Sequence, residues 1–271
     1  MSVPRRPPAL LAAPLLALVL LLTGCSSDPA PAKAPVGAPG RGAAGPESDA
    51  APARRASSGQ DAGPAPGRSP APAPTAIPGL GPETLAKIPA ETRQVFVVTG
   101  EDADANRSSA VLYSREDPVE GWKPTAGPWD AHNGMKGWSD HHVAGDLRSP
   151  TGVYTLTDAG GRLPDPGALL PYDEHPRFAV DGEGFFGEPL EGSFDYVVAI
   201  NYNRTEGVSP LDRTRPLGLE RGGGIWIHVD HGGPTQGCVS VPEDRMRELL
   251  RTLDPALHPV IVMGDAETLG R

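Results

Sequence analysis

Hydrophobic and polar positions divide the chain into three stretches of different texture. Residues 9–22 are almost wholly apolar and show no alternation, and residues 28–78 show no apolar period of any kind. Beyond Pro78, short runs rich in β-branched and aromatic residues alternate with Gly, Pro, Asp and Asn, the pattern of half-buried strands joined by turns. The expected strands are 94–99, 110–114, 152–157, 196–202, 224–230 and 259–263. One helical period stands out over 241–253, where Met246, Leu249, Leu250 and Leu253 share a face. Ser240 with Glu243 three positions later reads as a capping box, Pro242 is tolerated in a first turn, and Asp254-Pro255 ends the helix. These patterns predict a mainly β fold, a sandwich or barrel with one short helix whose amino end follows Cys238, rather than a doubly wound sheet.

Composition limits the fold to one region. All 14 aromatic residues lie at Phe96 or later, so the first third builds no core of its own. In residues 28–78, Ala, Pro and Gly supply 15, 12 and 7 of 51 positions. Such a segment buries too little apolar surface to offset its ordering entropy and is expected to be an unfolded tether. Ahead of it, Arg5-Arg6, the apolar run and Leu22-Thr23-Gly24-Cys25 follow the order of a signal peptide. The run is too short for a spanning helix, which needs about 20 residues. The tetrapeptide resembles the bacterial lipobox, which implies lipidation of Cys25. The expected organisation is a lipoprotein signal peptide over 1–24, a lipidated cysteine and tether over 25–78, and a catalytic domain over 79–271. The protein is accordingly expected to be exported and held by lipid at the outer face of the cell membrane. Residues 79–271 hold 17 Lys/Arg against 30 Asp/Glu, a net charge of −13, which excludes the basic footprint of a nucleic-acid binder.

The chemistry-bearing residues concentrate around the second of the two cysteines. In Gly224-Ile225-Trp226-Ile227-His228-Val229-Asp230, aliphatic residues alternate with Trp226, His228 and Asp230, so a strand puts His228 beside an aromatic on the face opposite the aliphatic row. A turn through Gly232-Gly233-Pro234 then leads to Thr235-Gln236-Gly237-Cys238. A strand, a turn and a helix start can return Cys238 to His228. An imidazole and a helix amino terminus lower a thiol pKa, and the imidazole can return the proton to a leaving amine. Gly237 permits close backbone approach, so the N–H groups of Gly237 and Cys238 are expected to form an oxyanion hole. Set against this, an isolated cysteine is commonly a small buried hydrophobe. His231 is a rival base, but it lies off the alternation and reads as a loop histidine.

At these residues the sequence resembles the L,D-transpeptidases with a YkuD-type catalytic domain. Members carry a histidine at the end of an apolar strand and a Ser/Thr-x-Gly-Cys signature followed by an aliphatic residue, here Ile225-Trp226-Ile227-His228 and Thr235-Gln236-Gly237-Cys238-Val239. Arg148-Ser149-Pro150-Thr151-Gly152-Val153-Tyr154 looks like the family's Thr-Pro-x-Gly-aromatic turn, and Gly145-Asp146, Leu170-Pro171-Tyr172, Tyr202-Asn203 and residues 259–264 fit an actinobacterial-type branch. The resemblance covers about residues 90–265. It implies Cys238 as nucleophile, His228 as general acid and base, an orienting carbonyl at Val229, and substrate contacts at Thr235, Gln236, Trp226 and Tyr202. It further implies a peptidoglycan stem-peptide substrate, a thioester on Cys238, a 3,3 cross-linked product, and no metal or cofactor. Gln236 and Ser240 depart from the His and Arg of many members, which leaves the nucleophile and base in place and bears on substrate contacts.

Among the seven histidines no HExxH spacing exists and the adjacent His141-His142 pair cannot point the same way on a strand, so a zinc peptidase is disfavoured. Residues 102–106 begin with calcium-loop spacing, but Arg107 and Tyr113 stand where Gly and Glu are needed, which leaves a solvated hairpin connection. Two functional alternatives stay open: an L,D-carboxypeptidase that uses water as acceptor, and a wall-binding lipoprotein that has lost turnover. Residues 178–194, rich in Gly and acidic groups, are a lid or a plain loop.

Overall fold

The computed structural model describes residues 76–271. Twelve strands form in order: β1 (Gln94–Gly100), β2 (Arg107–Ser114), β3 (Lys123–His132), β4 (Trp138–Ser139), β5 (Ser149–Pro150), β6 (Gly152–Thr155), β7 (Ala159–Gly161), β8 (Tyr172–Glu174), β9 (Val197–Ala199), β10 (Trp226–Val229), β11 (Val239–Val241) and β12 (Val260–Asp265). Ten of them make one sheet in the order β6-β12-β1-β2-β3-β11-β10-β9-β7-β8, and β4 pairs with β5 apart from it. Helices α1 (Pro82–Leu85), α2 (Glu243–Thr252) and α3 (Ala266–Leu269) are short. The fold is therefore mainly β, a curled ten-stranded sheet with few short helices, as expected.

The period of two along β1 and β12 explains why both sheet faces are covered. Phe96, Val98, Ile261 and Met263 point into the larger core, where Met246, Leu249, Leu250 and Leu253 close it from the α2 side. Val95, Val97, Val260 and Val262 point the other way, into a smaller core with Ile77, Leu80, Trp122 and Leu269. Ile77, placed by its sequence in the tether, is 1% exposed and belongs to that core.

Three differences from the sequence reading have physical causes. Strand β3 contains Pro124, Gly127 and Pro128 and lacks β-branched runs, so its sequence hides it; it is held by β2 through a register-shifted ladder. Val239-Ser240-Val241 forms β11, parallel to β10, where a helix start was expected. Consequently α2 begins at Glu243 behind Pro242 with no side-chain cap, and Ser240 donates to Asp230 Oδ1 at 2.7 Å instead of capping. The connection over 102–106 is a solvated turn between β1 and β2, as expected, with Asp104 N–H on Asp102 Oδ1.

A buried ion pair fixes the loop that follows β9. Arg204 Nη1 lies 2.8 Å from Asp158 Oδ2, with side chains 4% and 6% exposed. Thr157 Oγ1 and Gly207 N–H donate to the same carboxylate, and Arg204 Nη2 donates to Val208 O. Arg204→Ala strands a buried carboxylate, so urea unfolding is expected to show a loss of about 3–5 kcal/mol. An unchanged midpoint would mean that water replaces the guanidinium without cost.

Candidate active site

His228 sits in β10 between antiparallel β9 and parallel β11, opposite Val197 and Ser240. Its flanking neighbours Ile227 and Val229 face the core, so the imidazole is turned to the other side, where it is 3% exposed. Phe194 meets it edge-on at 5.2 Å, and the His231 ring stacks on it at 5.8 Å and 9°. Nδ1 lies 2.9 Å from Val229 O. A carbonyl only accepts, so Nδ1 carries the hydrogen and Nε2 keeps a free lone pair in the neutral ring. The orienting carbonyl is thus where the family resemblance implied. Burial lowers the His228 pKa to about 4, against the pull of the Val229 hydrogen bond, and His231 adds to the lowering.

Cys238 is aimed by a turn that its own side-chain neighbours lock. Thr235 Oγ1 donates to Cys238 O at 2.7 Å and accepts from Gly237 N–H at 3.1 Å. Ser149 Oγ donates to the same carbonyl at 3.2 Å while accepting from Gly134 N–H. Gly237 adopts φ +146°, where a side chain is strained, and a Cβ there would crowd Arg148 O at 3.0 Å. Trp226 N–H donates to Sγ at 3.4 Å, and Sγ lies 3.8 Å from Gly224 O, which the thiol hydrogen can reach. Burial pushes the thiol pKa up to about 11, opposed by the Trp226 N–H. The residue keeps partial contact with solvent, so attacking reagents can reach it.

Two expectations change here. The helix that was to depress the thiol pKa begins five positions on, after β11, so its amino terminus does not act on Cys238. The Gly237 N–H is taken by Thr235 Oγ1, which narrows the backbone oxyanion donor of that pair to Cys238 N–H. Both groups that line the cavity are therefore neutral at neutral pH, the thiol protonated and the imidazole uncharged.

His228 and Cys238 open into one cavity of about 550 Å³. Thr235, Gln236 and Gly237 line it, with Gln236 exposed. Trp226 and Tyr202 do not line it. Trp226 packs on Phe178 and Phe194 behind the site, and Tyr202 OH donates to Arg221 O at 2.8 Å with His142 O at 3.2 Å. Ser240 is fully buried away from the cavity, opposite His132, whose Nδ1 approaches Asp230 Oδ1 at 2.8 Å. Its departure from the family's Arg thus falls beneath the site. The hairpin within 178–194 walls the cavity with Glu183, Gly184 and Phe185, so this segment is part of the site.

Sequence reasoning missed His142, which was taken as one of a scattered set. It is buried against Gly237, lines the cavity, and its Nδ1 lies 3.0 Å from Asp146 Oδ1, while the adjacent His141 is exposed. The i, i+4 spacing to Asp146 was the available signal. Glu188 was missed as well. Among the described residues no group of three or more His, Cys, Asp or Glu side chains is arranged to hold a metal. No helix of the described residues is long and apolar enough to cross a membrane. Cys25, the leader and most of the tether lie outside the described residues.

A thiol and an imidazole oriented by a backbone carbonyl line one cavity, the residue types that covalent acyl transfer uses. A family model for the L,D-transpeptidase catalytic domain, YkuD, matches residues 101–262. Neither the curated proteins nor the solved structures searched contain a match.

Proposed function

Because the chain belongs to the YkuD family of L,D-transpeptidase catalytic domains, we propose that it is a peptidoglycan transpeptidase that forms 3,3 cross-links through a thioester on Cys238. The observation that carries this reading is His228, fixed at Nδ1 by Val229 O and opening with Cys238 into one cavity. His228 Nε2 takes the thiol proton as Sγ attacks the amide carbonyl that links a diaminopimelate-type residue to terminal D-Ala. The C–S bond forms, the C–N bond breaks, and His228 gives its proton to the leaving D-Ala amine. A side-chain amine of a neighbouring stem then attacks the thioester. Its proton passes to His228 and on to the departing thiolate. Cys238 N–H is the backbone donor nearest the developing oxyanion.

The leader-like residues 1–24 and the lipobox-like Leu22-Thr23-Gly24-Cys25 support export and a lipid anchor on Cys25. The Ala/Pro/Gly tether then supports reach from the membrane into the wall. Incubation of the full chain with disaccharide tetrapeptides, followed by mass, tests the reaction. A dimer less D-Ala is expected. A tripeptide without dimer would reassign the acceptor to water, and unchanged substrate would remove turnover altogether.

A further inference from the structure

The hairpin that walls the cavity is not held by its own apolar residues. Phe185 and Phe186, at its tip, are 41% and 66% exposed. Its backbone closes on itself through Gly184 N–H to Glu188 O at 2.8 Å and Leu190 N–H to Gly182 O at 3.0 Å. Val229 N–H donates to Ser193 O just beyond the hairpin, and within the hairpin the tie to the segment after β10 is Glu188. Its Oε1 lies 3.2 Å from His231 Nδ1, with side chains 12% and 6% exposed. Both atoms are fully buried and neither makes a hydrogen bond of good geometry, so their close approach to each other is the only polar contact either has. Glu188 Oε2 accepts from Phe186 N–H at 2.8 Å.

The seat of this carboxylate is made by two glycines. A Cβ on Gly184 or on Gly233 would collide with Glu188 Oε1. One glycine belongs to the hairpin and the other to the turn between His231 and Cys238, so the carboxylate is enclosed from both sides. His231 in turn stacks nearly parallel on His228. A contact chain therefore runs from the hairpin to the general base.

We propose that Glu188 and His231 form a latch that holds hairpin 183–189 over the active-site cavity and sets the ring plane of His228. Both are positioning residues, because the proton is handled by His228 and the acyl group by Cys238. The latch is a deepening of the transpeptidase reading and rests on it for its kinetic consequence alone. Release of Glu188 takes from the buried His231 Nδ1 its one close polar neighbour, which costs more than loss of a surface contact. The titratable groups facing His228 are His231 and Asp230 from its own segment and Cys238 from across the turn; Glu188 faces it through His231.

The test uses the full chain and three variants. Gly233→Ala expels Glu188 from its seat while leaving every charge in place. Glu188→Ala removes the carboxylate, and His231→Asn removes the stacked ring. In Gly233→Ala and Glu188→Ala, amide exchange at Gly184 and Leu190, whose acceptors are backbone carbonyls, is expected to quicken about tenfold. In all three variants kcat is expected to fall between about ten- and thirtyfold with KM within twofold, since misplacement of a catalytic group acts on the chemical step. His231→Asn is further expected to move the acid limb of kcat/KM, set by His228, to higher pH. Unchanged exchange in both hairpin variants would overturn the latch. Faster exchange with wild-type kcat and an unmoved acid limb would overturn the positioning of His228. An inactive wild type would count against the transpeptidase reading, while the exchange measurement would still decide the latch.

Discussion

Cys238→Ser is expected to abolish turnover, by on the order of 10⁴-fold or more, the scale on which loss of an acyl-transfer nucleophile acts. The reason lies in the site's resting state. With the thiol pushed up to about 11 and His228 lowered to about 4, no thiolate is stored, so the proposed mechanism makes the nucleophile only when His228 takes the proton during attack. A serine hydroxyl is several pKa units less acidic than a thiol. The same imidazole therefore cannot generate the alkoxide at a useful rate. The fold should be untouched, because an Oγ accepts from Trp226 N–H and donates towards Gly224 O much as Sγ does. Urea midpoint and circular dichroism are expected to match wild type. Mass spectrometry with a carbapenem-type β-lactam should show an adduct on the wild-type chain and none on the variant. Retention of more than a few per cent of the wild-type rate would remove Cys238 as nucleophile.

Alternation made His228 legible, since period two separates Ile225, Ile227 and Val229 from it, and the strand is found over Trp226–Val229. Cys238 was legible from its glycine and its distance to that strand. What the sequence concealed are contacts between segments far apart in the chain. Ser149, 89 positions before Cys238, supports its carbonyl, and Glu188 reaches His231 from a hairpin whose composition resembles any acidic loop. The helix capping signal at Ser240 was misleading for a related reason. Local propensity favoured a cap, but pairing of Val239 with Ile227 and Val241 with Val229 buried both valines in the sheet, and that burial prevailed. Strand β3 was hidden by its prolines and is recruited by β2 and β11, which are remote in sequence from each other.

His228→Ala is expected to lower kcat/KM by about 10²–10⁴-fold, the range for a positioned general acid and base, and to change the pH profile as well as its height. In the proposed mechanism the active form holds a neutral imidazole and a protonated thiol. Below about pH 4 the imidazole is charged and cannot accept the thiol proton; above about pH 11 the thiol proton is gone and the leaving amine has no donor. The wild-type profile should therefore be a broad plateau with limbs near those values, and the variant should lose the acid limb. Stability gives an independent reading of the same group. Its folded pKa is depressed from 6.5, so between about pH 6.5 and 4 the unfolded chain binds a proton that the folded site refuses. Wild-type stability is expected to fall as pH drops through that window, and the variant to lose this part of the slope. His231→Ala should keep a measurable rate, because its ring acts on His228 rather than on the thiol. If His231→Ala were the inert variant and His228→Ala the active one, the stacked ring would be the base and the Val229 carbonyl would be orienting a spectator.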